Sequence, residues 1–310
     1  MALEKGALRR RDKVRPTMGK GYTVTKVYIP SGDHRMKLLI LSPAASKQPR
    51  ENTPGILWIH GGGYAVGMAS MVFMSRAKRL VTEYGAVVIS PEYRLAGKAP
   101  YPAALEDCYA VAKEIFLKRE LLHCIADQIV LKEHATELGC SDEQIMVGGE
   151  SAGGGLTAAL CMLARDRGEV NIAFQMPLYP MLDHRDTDSS RNNHGISWNT
   201  KRNHAAWKLY LKDISGDIPP YASPSRQTDY SSLPPAYTLV GDREPFYCET
   251  LTYIENLRKA GIAAHVDVYP TGFHAFDMLL PFRRISRQAI VGFEKQYLYA
   301  AAHYRAVQRG

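Results

Sequence analysis

Apolar runs of strand length alternate with helical patterns along most of this chain. The runs at 55–59, 86–90 and 145–148 are each followed by a segment with helical spacing. When strands and helices alternate, each helix crosses back over the sheet to a parallel strand, and helices come to cover both faces. A chain of 310 residues is long enough to bury such a sheet in one large domain. The sequence therefore predicts an α/β fold with a mostly parallel central sheet.

The same alternation predicts further strands and helices before and after these runs. Two strands joined at Ser31-Gly32-Asp33 predict an antiparallel opening to the sheet. The full set of predicted strands is 22–29, 36–41, 55–59, 86–90, 145–148, 172–178, 236–240 and 264–269. The predicted helices are 71–84, 103–118, 152–165, 248–260 and a last one from 286 onward.

The rhythm breaks between residues 179 and 235. Two tryptophans, Trp198 and Trp207, stand there among many polar residues. We predict that residues 183–230 form a cap or lid over the carboxyl edge of the sheet, because sites in such folds open at that edge. Residues 120–142 are a second irregularity, which either lengthens the helix that begins near 103 or forms a separate helical excursion.

The first twenty residues are basic and carry much of the formal net charge of +8. They contain no apolar run, so we expect neither a signal peptide nor a membrane span there, and we expect a cytoplasmic protein. The basic residues do not interleave with aromatic ones in a nucleic-acid-binding pattern. We therefore expect residues 1–20 to be a flexible tail, residues 21–310 to be the main domain, and no nucleic-acid partner or stable membrane association.

The five cysteines are odd in number and widely scattered, at positions 108, 124, 140, 161 and 248. Their spacing fits neither a metal site nor a redox pair. We expect reduced structural thiols and no metal.

Gly149-Glu150-Ser151-Ala152-Gly153 fits the G-x-S-x-G elbow, and it lies between a predicted strand and a predicted helix, as that motif requires. The serine of such an elbow occupies a strained turn, and the flanking glycines prevent clashes with neighbouring backbone. The start of a helix also favours developing negative charge. Ser151 is therefore the candidate nucleophile.

His60-Gly61-Gly62-Gly63 follows the predicted strand at 55–59. Its glycines allow backbone N–H groups to turn into a site, and the N–H groups of Gly62, Gly63 and Ala152 are the candidate oxyanion hole. A phosphate-binding loop would need a following Lys-Ser or Lys-Thr, which is missing here. His60 precedes the nucleophile and is interpreted as a structural residue.

Several motifs together resemble the hormone-sensitive-lipase-like esterases of the α/β-hydrolase superfamily. They are the loop at 60–63, the elbow at 149–154, Glu92-Tyr93-Arg94-Leu95, the segment 101–107, and Gly272-Phe273-His274-Ala275-Phe276. The resemblance extends from about residue 54 to about residue 276. It implies the α/β-hydrolase fold with a small helical cap, a nucleophile, acid and histidine in that order, hydrolysis of short acyl esters, and no cofactor.

The acid that this resemblance implies is Glu244. The family carries its acid in a motif like Asp-Pro-Leu, and here Glu244-Pro245-Phe246 stands at that place. Asp242 is the alternative, although it would point to the other face if the strand continued through it. Glu150 stands where the family often has Asp, and is interpreted as a neutral change.

His274 is the candidate base, since it lies in a loop after the last predicted strand with Gly272 just ahead of it. Only His265 and His303 also follow Glu244, and they fall inside a predicted strand and the last helix. The sequence thus predicts a serine carboxylesterase that acts on a small-molecule ester. An amidase or arylformamidase, and a non-catalytic ligand-binding protein of the same fold, remain as alternatives. The oligomeric state is open, and a homodimer is compatible with the sequence.

Overall fold

The protein is described here by a computed structural model covering residues 17–44, 53–116 and 143–308. The insertion predicted at 120–142, residues 1–16 of the predicted tail, Cys124 and Cys140 lie outside these residues. The described strands are β1 (Thr17–Gly19), β2 (Tyr22–Ser31), β3 (His34–Pro43), β4 (Gly55–Ile59), β5 (Val87–Pro91), β6 (Ile145–Glu150), β7 (Phe174–Leu178), β8 (Ala236–Gly241) and β9 (Ala264–Tyr269).

The strands form one sheet in the order β1-β2-β3-β5-β4-β6-β7-β8-β9. The pairs from β1 to β3, and the pair of β3 with β5, are antiparallel, whereas all pairs from β5 to β9 are parallel. The predicted mostly parallel sheet with an antiparallel opening is confirmed. Strand β1 falls within residues assigned to the tail, and it pairs back on β2 across a turn in which Gly21 has φ +84°.

Helices cover both faces of this sheet, as predicted. They are α1 (Ala77–Tyr84), α2 (Ala103–Phe116), α3 (Ala152–Arg167), α4 (Thr200–Tyr210), α5 (Tyr247–Lys259), α6 (Phe276–Leu279) and α7 (Arg284–His303). Alternate strand residues serve the two faces: Leu57 and Ile59 pack with α2, α3 and α5, whereas Ile56 and Trp58 pack with α1 and α7. The sheet is thus buried on both sides.

The single helix predicted over 71–84 is wrong in its first half. A 3₁₀ turn spans Ala69–Phe73, and α1 begins only at Ala77. The Ser75 hydroxyl donates to the Val72 carbonyl and accepts the N–H of Ala77. Such local side-chain bonds compete with the helical pattern, and here they separate the two pieces.

The predicted cap segment, residues 183–230, contains α4 and a short 3₁₀ turn at Pro224–Arg226. Helix α4 buries Trp207 and Tyr210 against Tyr64, which follows the glycine loop. The rings of Tyr64 and Tyr210 are stacked with centroids 3.9 Å apart, and Trp207 lies 5.4 Å from Tyr64. Aromatic packing therefore fixes this segment next to the end of the glycine loop.

Candidate active site

Ser151 stands between β6 and α3 in a strained backbone conformation, with φ 58° and ψ −119°. A residue with a side chain rarely adopts a positive φ, and such strain gathers at functional sites. The surrounding backbone holds the turn: the Ser151 N–H donates to the Leu178 carbonyl, and the Ser151 carbonyl accepts from Gly155 and Met181. The hydroxyl is thereby presented at the carboxyl end of the central strands.

Glycines let the elbow and the β4 loop press together backbone to backbone. A Cβ on Gly153 would lie 2.1 Å from the Ile59 carbonyl oxygen, and one on Gly149 would lie 2.5 Å from the same atom. A Cβ on Gly61 would lie 2.8 Å from the Glu150 carbonyl oxygen. Such distances exclude any side chain, which explains the glycines of both motifs.

A chain of hydrogen bonds joins Glu244, His274 and Ser151. The Glu244 carboxylate can only accept, so His274 Nδ1 donates to Glu244 Oε2. His274 Nε2 is then an acceptor for the Ser151 hydroxyl, at 2.9 Å. Glu244 Oε1 accepts the N–H of Gly241. All three side chains are buried, and Glu244 is fully so.

Asp242, the alternative acid, lies away from this chain. Its side chain is exposed and sits 3.3 Å from Arg243 Nε. Strand β8 ends at Gly241, so the alternation of faces along a strand no longer applies to Asp242. A turn after Gly241 carries Glu244 inward instead.

Aromatic rings surround His274. Tyr179 and Phe246 meet it edge-on, with centroids at 5.1 Å and 4.9 Å, and Trp198 of the cap segment lies at 6.3 Å. Sequence reasoning did not assign Tyr179 or Phe246 to the site, because their neighbourhood depends on distant parts of the chain. The rings restrict access of water to the imidazole and strengthen its polar contacts.

The glycine loop is braced by His60. Its Nδ1 donates to the Gly61 carbonyl at 2.8 Å, and its ring stacks on Tyr93 at 4.1 Å. The Tyr93 hydroxyl donates to the His60 carbonyl. Burial lowers the pKa of His60, which fits the predicted structural role.

Of the predicted oxyanion-hole residues, Ala152 directly follows the serine, and a Cβ on Gly61, the residue before Gly62, would lie 3.2 Å from the Ser151 Cβ. Gly62 and Gly63 have φ +120° and +59°, and Ala152 opens α3. Within 17–44, 53–116 and 143–308, none of the backbone hydrogen bonds outside helices and strands uses the N–H groups of these three residues as donors.

Glu150 is buried directly before the nucleophile. Both of its carboxylate oxygens lie 2.9 Å from Trp58 Nε1, which donates from β4. Burial raises the pKa of Glu150 to about 8 against the pull of the Trp58 bond. Glu150 of β6 is therefore joined to Trp58 of β4 by a buried hydrogen bond. The interpretation of Glu150 as a neutral change did not include this contact.

A metal centre is not evident in the described part of the chain, where no group of three or more His, Cys, Asp or Glu side chains could hold an ion. The same residues include no helix with the length and apolar character needed to cross a membrane.

A family model described as the α/β-hydrolase fold matches residues 56–278. This chain belongs to the α/β-hydrolase fold family. The resemblance to hormone-sensitive-lipase-like esterases, stated above from the motifs, is confirmed.

Curated and solved members of the family resemble the chain over most of its length. Carboxylesterase NlhH of Mycobacterium tuberculosis is 30% identical over 73% of this chain and 67% of its own length. Esterase LipI of the same organism is 30% identical over 72% of this chain and 65% of its own length, so the chain spans just under two thirds of that relative. The solved structure of a bacterial heroin esterase superposes with a TM-score of 0.76 at 32% identity, covering 88% of this chain and 82% of that one.

These relatives are named as esterases or carboxylesterases. The expectation of a carboxylic ester hydrolase with the α/β-hydrolase fold is confirmed at the level of the family.

Proposed function

We propose that this α/β-hydrolase cleaves small carboxylic esters through an acyl-enzyme on Ser151. The observation that carries the proposal is the hydrogen-bond chain from Glu244 through His274 to the strained Ser151. Ser151 Oγ attacks the ester carbonyl carbon as His274 Nε2 takes the hydroxyl proton. Glu244 orients the imidazole and stabilises its charged form.

The carbonyl oxygen becomes negative during the attack, and the N–H groups of Gly62, Gly63 and Ala152 donate to it. His274 then gives its proton to the leaving alcohol, and the ester bond breaks. Water, activated by the same imidazole, releases the acid and restores the serine. One ester and one water molecule are consumed in each cycle, and an acid and an alcohol are released.

Trp198 supports a preference for short acyl groups. A Cβ on Gly63 would lie 2.5 Å from the Trp198 ring, so this ring closes over the glycine loop while it also approaches His274. The cap begins with the polar run Asp183-His184-Arg185-Asp186, which is unsuited to docking on lipid. We propose acetyl to hexanoyl esters as preferred substrates.

The decisive experiment compares Ser151→Ala with the parent enzyme on a series of p-nitrophenyl esters. Loss of hydrolysis and of labelling by a fluorophosphonate, with the fold retained in circular dichroism, is the expected result. Substantial hydrolysis by Ser151→Ala would refute the proposal. A maximum of kcat/KM beyond decanoate would refute the acyl-length part alone, and matched anilides would reveal an amidase.

The acid is tested by two matched amides. Glu244→Gln should lower kcat by about 10⁴-fold, because the amide can no longer fix the imidazole tautomer. Asp242→Asn, two residues away in an exposed position, should behave like the parent. The reverse ranking would transfer the role to Asp242.

A further inference from the structure

A buried ion pair joins the start of α1 to the segment that follows His274. Arg76, at the start of α1, contacts Asp277 in α6 through its guanidinium, and their side chains are 6% and 1% exposed. The Arg76 guanidinium also lies over the Phe293 ring of α7, 5.5 Å from its centroid. Burying two charges is costly, and well-packed apolar residues often replace such pairs without loss of stability. Stability alone is therefore a weak explanation for this pair.

Asp277 is the member of the pair that lies close to His274 in the sequence. It follows His274 by three residues, in the short helix that begins after Ala275. Ala275 itself has φ 57°, a conformation that needs support from its surroundings. The contact of Asp277 with Arg76 connects this strained segment to α1, on the far side of the sheet from α2 and α3.

Arg76 also faces the neighbours of the serine. Its positive charge opposes the burial that raises the pKa of Glu150, the residue before Ser151. The same charge opposes the burial that raises the pKa of Tyr179, whose ring meets His274 edge-on. One guanidinium thus lies among groups that adjoin both ends of the Ser151–His274 hydrogen bond.

We propose that Arg76 and Asp277 are positioning residues, whose ion pair holds the His274 segment in hydrogen-bonding register with Ser151. The inference rests on the proposed function of Ser151 and His274. Proton transfer depends on the 2.9 Å contact between His274 Nε2 and Ser151 Oγ. A small displacement of a reacting group lowers a rate steeply, so an anchor three residues away can control it.

The test is a double variant, Arg76→Met with Asp277→Leu, which removes both charges and keeps apolar volume in their place. Its thermal midpoint should stay near that of the parent, because no charge is left unpaired. Its kcat for a p-nitrophenyl ester should fall by about 10- to 100-fold, with KM little changed. The rate of fluorophosphonate labelling should fall in the same proportion.

A pH profile separates positioning from mere packing. The pH of half-maximal kcat/KM reports the ionisation of the free enzyme's base. In the double variant this pH should differ from the parent's, because displacement changes the contact between the imidazole and Glu244. Arg79→Met is the matched control, since Arg79 lies on the same helix but pairs with Glu294 of α7, and it should keep the parent's kcat and profile.

A double variant with the parent's kcat and pH profile would overturn the proposal. If that variant is poorly folded, Arg76→Gln with Asp277→Asn replaces it, because two amides can hydrogen-bond to each other and leave no buried charge unpaired. This variant should show the lowered kcat and the shifted profile, and unchanged values in it would equally overturn the inference. Failure of the proposed function would look different, since Ser151→Ala would then retain hydrolysis.

Discussion

Replacement of Glu150 by glutamine should change how the stability of this enzyme depends on pH. Glu150 is buried beside the nucleophile, and burial raises its pKa to about 8 from an ordinary value of 4.5. The native state therefore keeps a proton on Glu150 at pH values where the unfolded chain has released it. Glutamine has nearly the same shape, can still accept from Trp58 Nε1, and does not titrate.

The sign and size of the effect follow from proton linkage. Between pH 4.5 and pH 8 the native state binds one proton more than the unfolded state, so the free energy of unfolding falls as pH rises. The slope is about 1.4 kcal/mol per pH unit, or about 5 kcal/mol over the whole window. The stabilisation from a protonated Glu150 is complete below pH 4.5 and is lost by about pH 8. Glu150→Gln should not lose it.

Urea unfolding of both proteins at a series of pH values between 5 and 9 measures this difference. The free energy of unfolding of Glu150→Gln, relative to the parent, should rise steadily up to about pH 8 and then level off. Glu255→Gln is the control, because Glu255 is exposed, pairs with Lys259 and has a lowered pKa. Parallel curves for the parent and Glu150→Gln would show that Glu150 is ionised throughout and would refute the argument.

Three further substitutions test other parts of the structure. Gly153→Ala places a Cβ 2.1 Å from a β4 carbonyl oxygen and should cost about 1–3 kcal/mol of unfolding free energy, measured by urea titration; an unchanged midpoint would contradict this close approach. Trp198→Ala should raise kcat/KM for octanoate relative to acetate among p-nitrophenyl esters, and a constant ratio would remove this ring from the acyl site. Ser75→Ala removes the acceptor for the Ala77 N–H and should lower the thermal midpoint by an amount equivalent to about 1 kcal/mol, whereas an unaffected midpoint would show that this hydrogen bond does not stabilise the start of α1.

Local patterns predicted the sheet and most of its helices because each element there carries its own periodicity. The strand at 145–148 and the helix at 152–165 were found within a few residues of β6 and α3. The helix over 71–84 was divided by one serine hydroxyl, which leaves the apolar spacing intact. Hydrogen bonding of a single side chain is invisible to a pattern of apolar residues.

The candidate site also combines residues that motifs predict with one residue that motifs alone left open. Ser151 and His274 stand in motifs whose spacing can be read directly, and the structure brings them together with Glu244. The preference for Glu244 rested on the Glu244-Pro245-Phe246 motif. The orientation of Asp242 depended on where β8 ends, which strand periodicity leaves uncertain by a few residues.

Partners that are far apart in sequence could not be predicted at all. Glu150 accepts a hydrogen bond from Trp58, which is 92 positions away in the sequence. Arg76 and Asp277 are also far apart in the sequence and form an ion pair. Glu150 stands in the elbow motif and Trp58 in a predicted strand, but neither pattern indicates that the two residues are partners. Their contacts arise from the crossover topology of the sheet, which sets distant segments side by side.

The bond between Trp58 and Glu150 also gives the enzyme a built-in optical probe. The chain has three tryptophans, and the other two, Trp198 and Trp207, belong to the cap segment. With both of those replaced by phenylalanine, all indole fluorescence would come from a ring whose Nε1–H donates to the titrating carboxyl. Indole emission responds to a charge close to that nitrogen. A spectrum taken at each pH would therefore show the protonation of Glu150 in the folded enzyme.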